Sequence, residues 1–169
     1  PPQLIKSALA SNIEELDLCG YDLSILTDDD IPNPLLDTLK TLDLRESRNI
    51  PPQLIKSALA SNIEELDLCG YDLSILTDDD IPNPLPASLK TLNLYQARNI
   101  PPALISRALA SDSIEKLNLY YCDLRGVIVP ETLPASLRIV SLRTARNIPP
   151  ELISRALASD SIEELDLSF

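Results

Sequence analysis

Histidine, tryptophan and methionine are absent from this 169-residue chain, glycine and cysteine number three each, and there is one phenylalanine. Without histidine there is no Ser-His-Asp or Cys-His arrangement and no histidine metal site. Three glycines do not compose a phosphate-binding loop. Three cysteines do not make a disulfide framework. Cys19 and Cys69 occupy equivalent places with a complete strand between them, which sets them roughly 10 Å apart, beyond the ~7 Å that a disulfide tolerates. Reduced thiols, together with the lack of any Asn-x-Ser/Thr acceptor, favour a cytoplasmic or other intracellular setting. No apolar run approaches the ~18 residues of a membrane span, so a membrane partner is not expected. No signal peptide opens the chain, and it starts on a helix signal without a methionine, as a fragment of a larger protein would.

What is present is acid. Twenty-six acidic against fourteen basic side chains give a formal net charge of −12. Such a chain repels a polyanion, so nucleic acid is not an expected partner, whereas a basic protein surface is. A plainly solvated acidic surface gives the same composition. The excess is uneven: residues 1–50 carry −6, 51–100 carry −4, 101–148 carry +2 and 149–169 carry −4.

The pattern apolar-x-x-apolar-x-apolar recurs seven times, at 13–18, 39–44, 63–68, 89–94, 114–119, 137–142 and 162–167, and the steps between copies run 26, 24, 26, 25, 23 and 25 residues. A period in the twenties signals a solenoid. Double units span 1–50, 51–100 and 101–148, with a partial fourth at 149–169, and residues 1–35 are identical to 51–85. Each unit opens on Pro-Pro-x-Leu-Ile. Proline suits the first helical turn, where its missing N–H has no partner to lose. Leu54, Ile55, Ala58 and Leu59 line one face of a short helix. Helices are therefore expected near 2–10, 52–60, 102–110 and 150–158, with Asn49, Asn99 and Asn147 placed to help cap the last three. A strand follows each helix. A segment rich in Asp and Pro, such as Thr77 to Leu85, then returns the chain irregularly or through one helical turn, and a second strand closes the unit.

The run from Ile114 through Leu117, Leu119 and Cys122 to Leu124 resembles the leucine-rich-repeat consensus Leu-x-x-Leu-x-Leu-x-x-Asn/Cys-x-Leu. The helix ending Ala-Leu-Ala-Ser resembles ribonuclease-inhibitor-like alternating repeats. Leu85-Pro86-Ala87-Ser88-Leu89 resembles repeats of bacterial effector proteins. The resemblance implies an α/β fold over residues 1–169: a curved leucine-rich-repeat solenoid with a parallel sheet on the concave face and alternating short helices and irregular loops on the convex face. It also implies protein recognition on the concave face. One departure is visible: Tyr21 and Tyr71 stand where the family carries Asn or Cys, so the usual ladder of side chains under the sheet cannot run unbroken.

Stacked strands turn equivalent residues into columns. The column Glu14, Lys40, Glu64, Lys90, Glu115, Arg138, Glu163 alternates in sign, as a stacking device would. The next, Asp17, Asp43, Asp67, Asn93, Asn118, Ser141, Asp166, reads either as a stripe for basic groups or as a solvated face in which Arg45 offsets repulsion. The third holds Tyr95, Tyr120 and Arg143, with Tyr121 at the strand end. Tyrosine and arginine anchor many binding surfaces, although tyrosine also packs well on sheets. Asp28 to Asp30 and Asp78 to Asp80 lack the alternating ligand spacing of a calcium loop. No cofactor, metal or catalytic residue is expected. The protein-binding candidates are Tyr95, Tyr120, Tyr121, Arg143, Asn93, Asn118, Asp17, Asp43 and Asp67. Two other readings stand beside protein recognition. One is a structural or engineered repeat segment that self-associates through uncapped ends. The other is the recognition arm of an effector or ubiquitin-ligase-type protein whose catalytic part lies elsewhere, as in a bacterial protein delivered to a host cell.

Overall fold

In the computed structural model, which describes residues 2–168, seven strands form one parallel sheet in chain order. They are β1 (Glu15–Asp17), β2 (Thr41–Asp43), β3 (Glu65–Asp67), β4 (Thr91–Asn93), β5 (Lys116–Asn118), β6 (Ile139–Ser141) and β7 (Glu164–Asp166). Helices α1 (Pro2–Leu9), α2 (Pro52–Leu59), α3 (Pro102–Leu109) and α4 (Pro150–Leu157) precede β1, β3, β5 and β7. This is an α/β arrangement consistent with a curved repeat solenoid. A helix is about 10 Å wide and serves two strands, which together span nearly the same distance. That match limits how strongly the stack must bend.

The register is unshifted across the sheet: Leu16, Leu42, Leu66, Leu92, Leu117, Val140 and Leu165 pair in sequence. Their side chains, with Leu18, Leu44, Leu68, Leu94, Leu119 and Leu142, point inward and meet the helix residues Leu54, Ile55, Leu104 and Ile105 in one continuous core. Because side chains alternate across a strand, Thr91 and Asn93 are left on the outer face of β4 around buried Leu92.

The return segment is a 3-10 turn in two of the units, Asp28–Asp30 and Asp78–Asp80. Its last aspartate turns inward. Asp80 accepts bonds from the Thr77 N–H (2.8 Å) and hydroxyl (2.9 Å) and pairs with Lys56 of α2 at 2.7 Å. Asp30 does the same with Thr27 and Lys6. These contacts, led by the lysine hydrogen bond, hold both carboxyls at about 2. Arg107 of the third unit and Arg155 of the partial fourth make the comparable link, reaching carbonyls of the preceding return segments at Ile81, and at Val129 and Pro130.

The asparagines before the helices do not cap them. The caps are Pro51, Pro101 and Pro149, none with a side-chain cap bond. Asn49, Asn99 and Asn147 instead adopt left-handed backbone (φ +53°, +51° and +53°) and donate their amides backward to Asp22 (3.0 Å), Asp72 (3.0 Å) and Asp123 (2.8 Å). Asparagine tolerates that conformation better than most residues, and proline two positions later leaves no N–H for a cap to satisfy. These amide bonds first, then the backbone N–H of Ser24 or Ser74, hold Asp22 and Asp72 at about 2. A folded-state pKa below the ordinary value of 3.8 means that the native state binds fewer protons than the unfolded chain. The resulting stabilisation is fully present above about pH 4 and is lost as pH falls towards 2. Asp72→Asn, which keeps the oxygen but not the proton site, is expected to make the urea midpoint fall less steeply over that window. Equal slopes in the two proteins would show that Asp72 has no such linkage.

Candidate functional site

The predicted ladder beneath the sheet is broken, as the tyrosines at 21 and 71 require. Ser47 Oγ donates to the Leu18 carbonyl at 2.6 Å and Cys122 Sγ lies 3.0 Å from the Leu94 carbonyl. Ala97 and Ala145 fill the same place with nothing to donate. Tyr71 bypasses the position and bonds the Ile50 carbonyl through its hydroxyl at 3.0 Å. Burial pushes the Cys122 thiol up to about 12, and desolvation raises Cys19 and Cys69 as well. None of the three is an activated nucleophile.

On the outer face the alternating column forms ion pairs at Lys90–Glu64 (2.9 Å) and Arg138–Glu163. Its backbone also carries the ladder, each N–H reaching the preceding carbonyl at 2.7–2.9 Å from Lys40 to Glu163.

The aspartate column has a local job that its composition did not disclose. Asp17, Asp43, Asp67, Asn93, Asn118 and Asp166 each accept, through Oδ1, the backbone N–H two residues on, at 2.8–3.1 Å. This Asx turn ends the strand, and either Asp or Asn makes it. Repulsion between neighbouring aspartates is relieved by Arg45. Its guanidinium forks Asp43, with Nε 2.8 Å from Oδ2 and a terminal nitrogen 2.6 Å from the same atom, and stands 3.8 Å from Asp67. Asn93 donates to Asp67 at 2.8 Å. Half-burial still raises the Asp67 carboxyl above its ordinary value. Asp17 is exposed and forms no ion pair among the described residues. Of the three predicted aspartates it alone has no arginine against it and keeps one oxygen open to a partner. The sequence placed Arg45 as an offset, and the geometry adds that Asp43 and Asp67 are already engaged.

Three tyrosines come together. Tyr95 and Tyr120 meet edge to face with centroids 4.8 Å apart, and Tyr120 and Tyr121 stack at 4.5 Å with planes 11° apart. Tyr95 and Tyr121 are edge to face at 6.4 Å. The Arg143 guanidinium lies 5.3 Å from the centroid of the Tyr120 ring. A shallow depression lined by Asn93, Lys116, Asn118, Ile139 and Ser141 lies two residues back along the same strands. The columns therefore bring Tyr95, Tyr120, Tyr121, Arg143, Asn93 and Asn118 to one side of the sheet, while Asp17 and Asp43 lie towards its other end.

Tyr121 is there at a cost. One left-handed residue follows each strand from β1 to β6: Gly20 (φ +73°), Glu46 (+54°), Gly70 (+75°), Gln96 (+55°), Tyr121 (+62°) and Thr144 (+50°). Glycine holds this conformation freely, while other L residues give up about 1–2 kcal/mol. The ring recovers a similar amount by stacking on Tyr120 and Tyr95, at about 0.5–1.5 kcal/mol per pair. Tyr121→Gly is thus expected to change the unfolding free energy by less than about 1 kcal/mol, measured by urea denaturation. A larger loss would mean that the ring serves the fold rather than the surface.

Among the described residues no helix is long and apolar enough to cross a membrane, and no group of three or more acidic or cysteine side chains is disposed to hold a metal ion. No protein family, curated protein or solved structure matches the chain.

Proposed function

We propose that this chain is a protein-recognition module of the leucine-rich-repeat type that binds a partner protein through the exposed face of its sheet. The observation that carries the reading is the cluster of Tyr95, Tyr120, Tyr121 and Arg143. Three of the five tyrosines in a chain with one phenylalanine and no tryptophan gather on one surface, and Tyr121 remains 46% exposed. The core does not need them, since the strands are closed by leucine in every repeat. Rigid aromatic rings with polar tips, beside an arginine, give contact area at small entropic cost. Asp17 and the acid-rich first double unit supply a long-range field that draws a basic surface towards the sheet before the rings engage. No catalytic step is assigned to these residues.

The experiment is affinity capture followed by cross-linking mass spectrometry, comparing the wild-type chain with Tyr95→Ala/Tyr120→Ala. Loss of a partner whose cross-links map to Lys116 or Lys90 supports the reading. Undiminished capture of that partner would sink it.

A second reading, self-association of a bare repeat segment, is favoured by Leu4 and Leu157, which are 64% and 71% exposed on the first and last helices. Light scattering over a range of concentrations separates the two, since oligomers that persist in Tyr95→Ala/Tyr120→Ala would come from these ends.

A further inference from the structure

We infer that the rim of the sheet around Tyr121 is a second binding site, one that takes an anionic side chain of an extended peptide. Two adjoining clefts flank Tyr121. One is lined by Arg98, Asn99, Asp123, Arg125 and Arg146, and the other by Gln96, Thr144 and the same Arg98 and Arg146. Three arginines and one aspartate thus line the clefts, with Asp72 the bridge partner of Arg98 next to them, in a chain whose acidic residues outnumber its basic ones by nearly two to one.

The lining carboxylate is occupied. Asp123 accepts the Asn147 amide at 2.8 Å and the Arg125 N–H at 3.0 Å, and stands 3.8 Å from the Arg125 guanidinium. Arg98 and Arg146 form no ion pair among the described residues. Their backbones are pinned to the preceding repeat. The Arg98 N–H donates to the Tyr71 carbonyl and the Arg98 carbonyl accepts from Leu73, while Arg146 does the same with Cys122 and Leu124. The two exposed arginines lie on either side of Asp123, two strand spacings or roughly 10 Å apart, where both can reach a second small anion. Arginine offers a planar fork that matches a carboxylate or phosphate with two parallel bonds.

Comparison of the copies points to the same place. The second double unit has Gly70 and Ser74 where the third has Tyr121 and Arg125. Glycine satisfies the left-handed turn without strain, and the Asp72 turn is made as well by the Ser74 N–H, at 3.0 Å, as the Asp123 turn is by the Arg125 N–H. Neither replacement serves the backbone. Both add binding chemistry to one cleft, a ring and a positive charge. A polyanion would meet the surrounding net charge of −12, whereas a single acidic side chain inside the cleft would not. The occupant is therefore a peptide bearing a carboxylate or a phosphate, with its backbone and neighbouring side chains lying against Tyr121.

The site shares only Tyr121 with the strand-face cluster, and its test is separate. Fluorescence anisotropy would follow three short fluorescein-labelled peptides that are identical except at one central residue: glutamate, phosphoserine or glutamine. The glutamate or the phosphoserine peptide is expected to bind at least about ten-fold more tightly than the glutamine peptide, the size of a charged hydrogen bond. Whichever of the two binds more tightly identifies the anion. Arg98→Ala and Arg146→Ala are each expected to weaken that binding about ten-fold, and Tyr121→Gly to weaken it too. Arg48→Ala changes the equivalent arginine of the first double unit, whose neighbouring left-handed positions are Gly20 and Gly70 instead of Tyr121, and should leave binding unaltered. Equal binding of all three peptides, or no binding by any, would overturn the inference. An Arg48→Ala loss as large as that of Arg146→Ala would reduce it to diffuse surface charge and overturn it equally. If Tyr95→Ala/Tyr120→Ala spares the captured partner while Arg98→Ala abolishes peptide binding, the strand-face reading fails and this one stands. The converse pattern decides the other way.

Discussion

Leu92→Ala is expected to lower the unfolding free energy by about 3 kcal/mol. Leu92 is fully buried at the centre of β4, the middle strand of seven, and its register partners Leu66 and Leu117 are almost completely buried on either side. Removing three side-chain carbons there loses their transfer energy and leaves a cavity that leucines on both flanks can close only in part. In a stack, each repeat is held by its neighbours alone, so a defect in the middle weakens two interfaces together. Urea unfolding followed by circular dichroism should show a lower midpoint and, if the two halves uncouple, a smaller slope. Thr91→Ala, on the outer face of the same strand, is the control and should stay within about 0.5 kcal/mol. A Leu92→Ala loss no larger than that of the control would refute the picture of one continuous core.

Tyr120→Ala is expected to weaken binding of the proposed strand-face partner by about 2 kcal/mol, roughly thirty-fold. Its ring is the centre of the cluster, in contact with Tyr95 on one side and Tyr121 on the other, with the Arg143 guanidinium 5.3 Å from its centroid. Truncating it removes the surface on which the other three are arranged, so the effect should exceed that of Tyr95→Ala or Arg143→Ala. The fold should lose only about 1 kcal/mol, the worth of the aromatic contacts. Tyr120→Phe keeps the stack and separates the ring from the hydroxyl. Calorimetric titration with the captured partner measures the change, and a loss under two-fold for Tyr120→Ala would remove Tyr120 from the interface.

Much of this architecture is legible in the chain. Proline pairs start each helix within a residue of where the sequence places them, because proline is tolerated in the first turn and nowhere deeper. The strands fall inside the seven periodic motifs because only an extended chain puts Leu66 and Leu68 on one side. Less legible were contacts that cross from one repeat to the next. Asn49 read as a helix cap because a cap is a local motif, but its amide bonds Asp22, 27 positions earlier. The Asp column read as charge because composition does not show that each Oδ1 already accepts a backbone N–H. Nothing local in the sequence marks the rim arginines, because Arg98 and Arg146 are far apart in the chain and lie off the strand face. The replacement of Gly70 and Ser74 by Tyr121 and Arg125 was the one signal that could have found them.

The identical segments 1–35 and 51–85 show where local sequence stops deciding. The same residues give the same helix, the same strand, the same 3-10 turn and the same carboxylate contacts in both copies. Period, element type and register were thus settled by the chain itself, through the spacing of its apolar residues and the conformational limits of proline and glycine. Burial was not. Leu54 is fully buried while Leu4 is 64% exposed, and Tyr71 is half-buried with its hydroxyl on the Ile50 carbonyl while Tyr21 is 50% exposed. The second copy packs against the repeat before it, whose Ile50 carbonyl takes the Tyr71 hydroxyl. A repeat encodes its own shape, but its core and its binding surface are made by the neighbour stacked beside it.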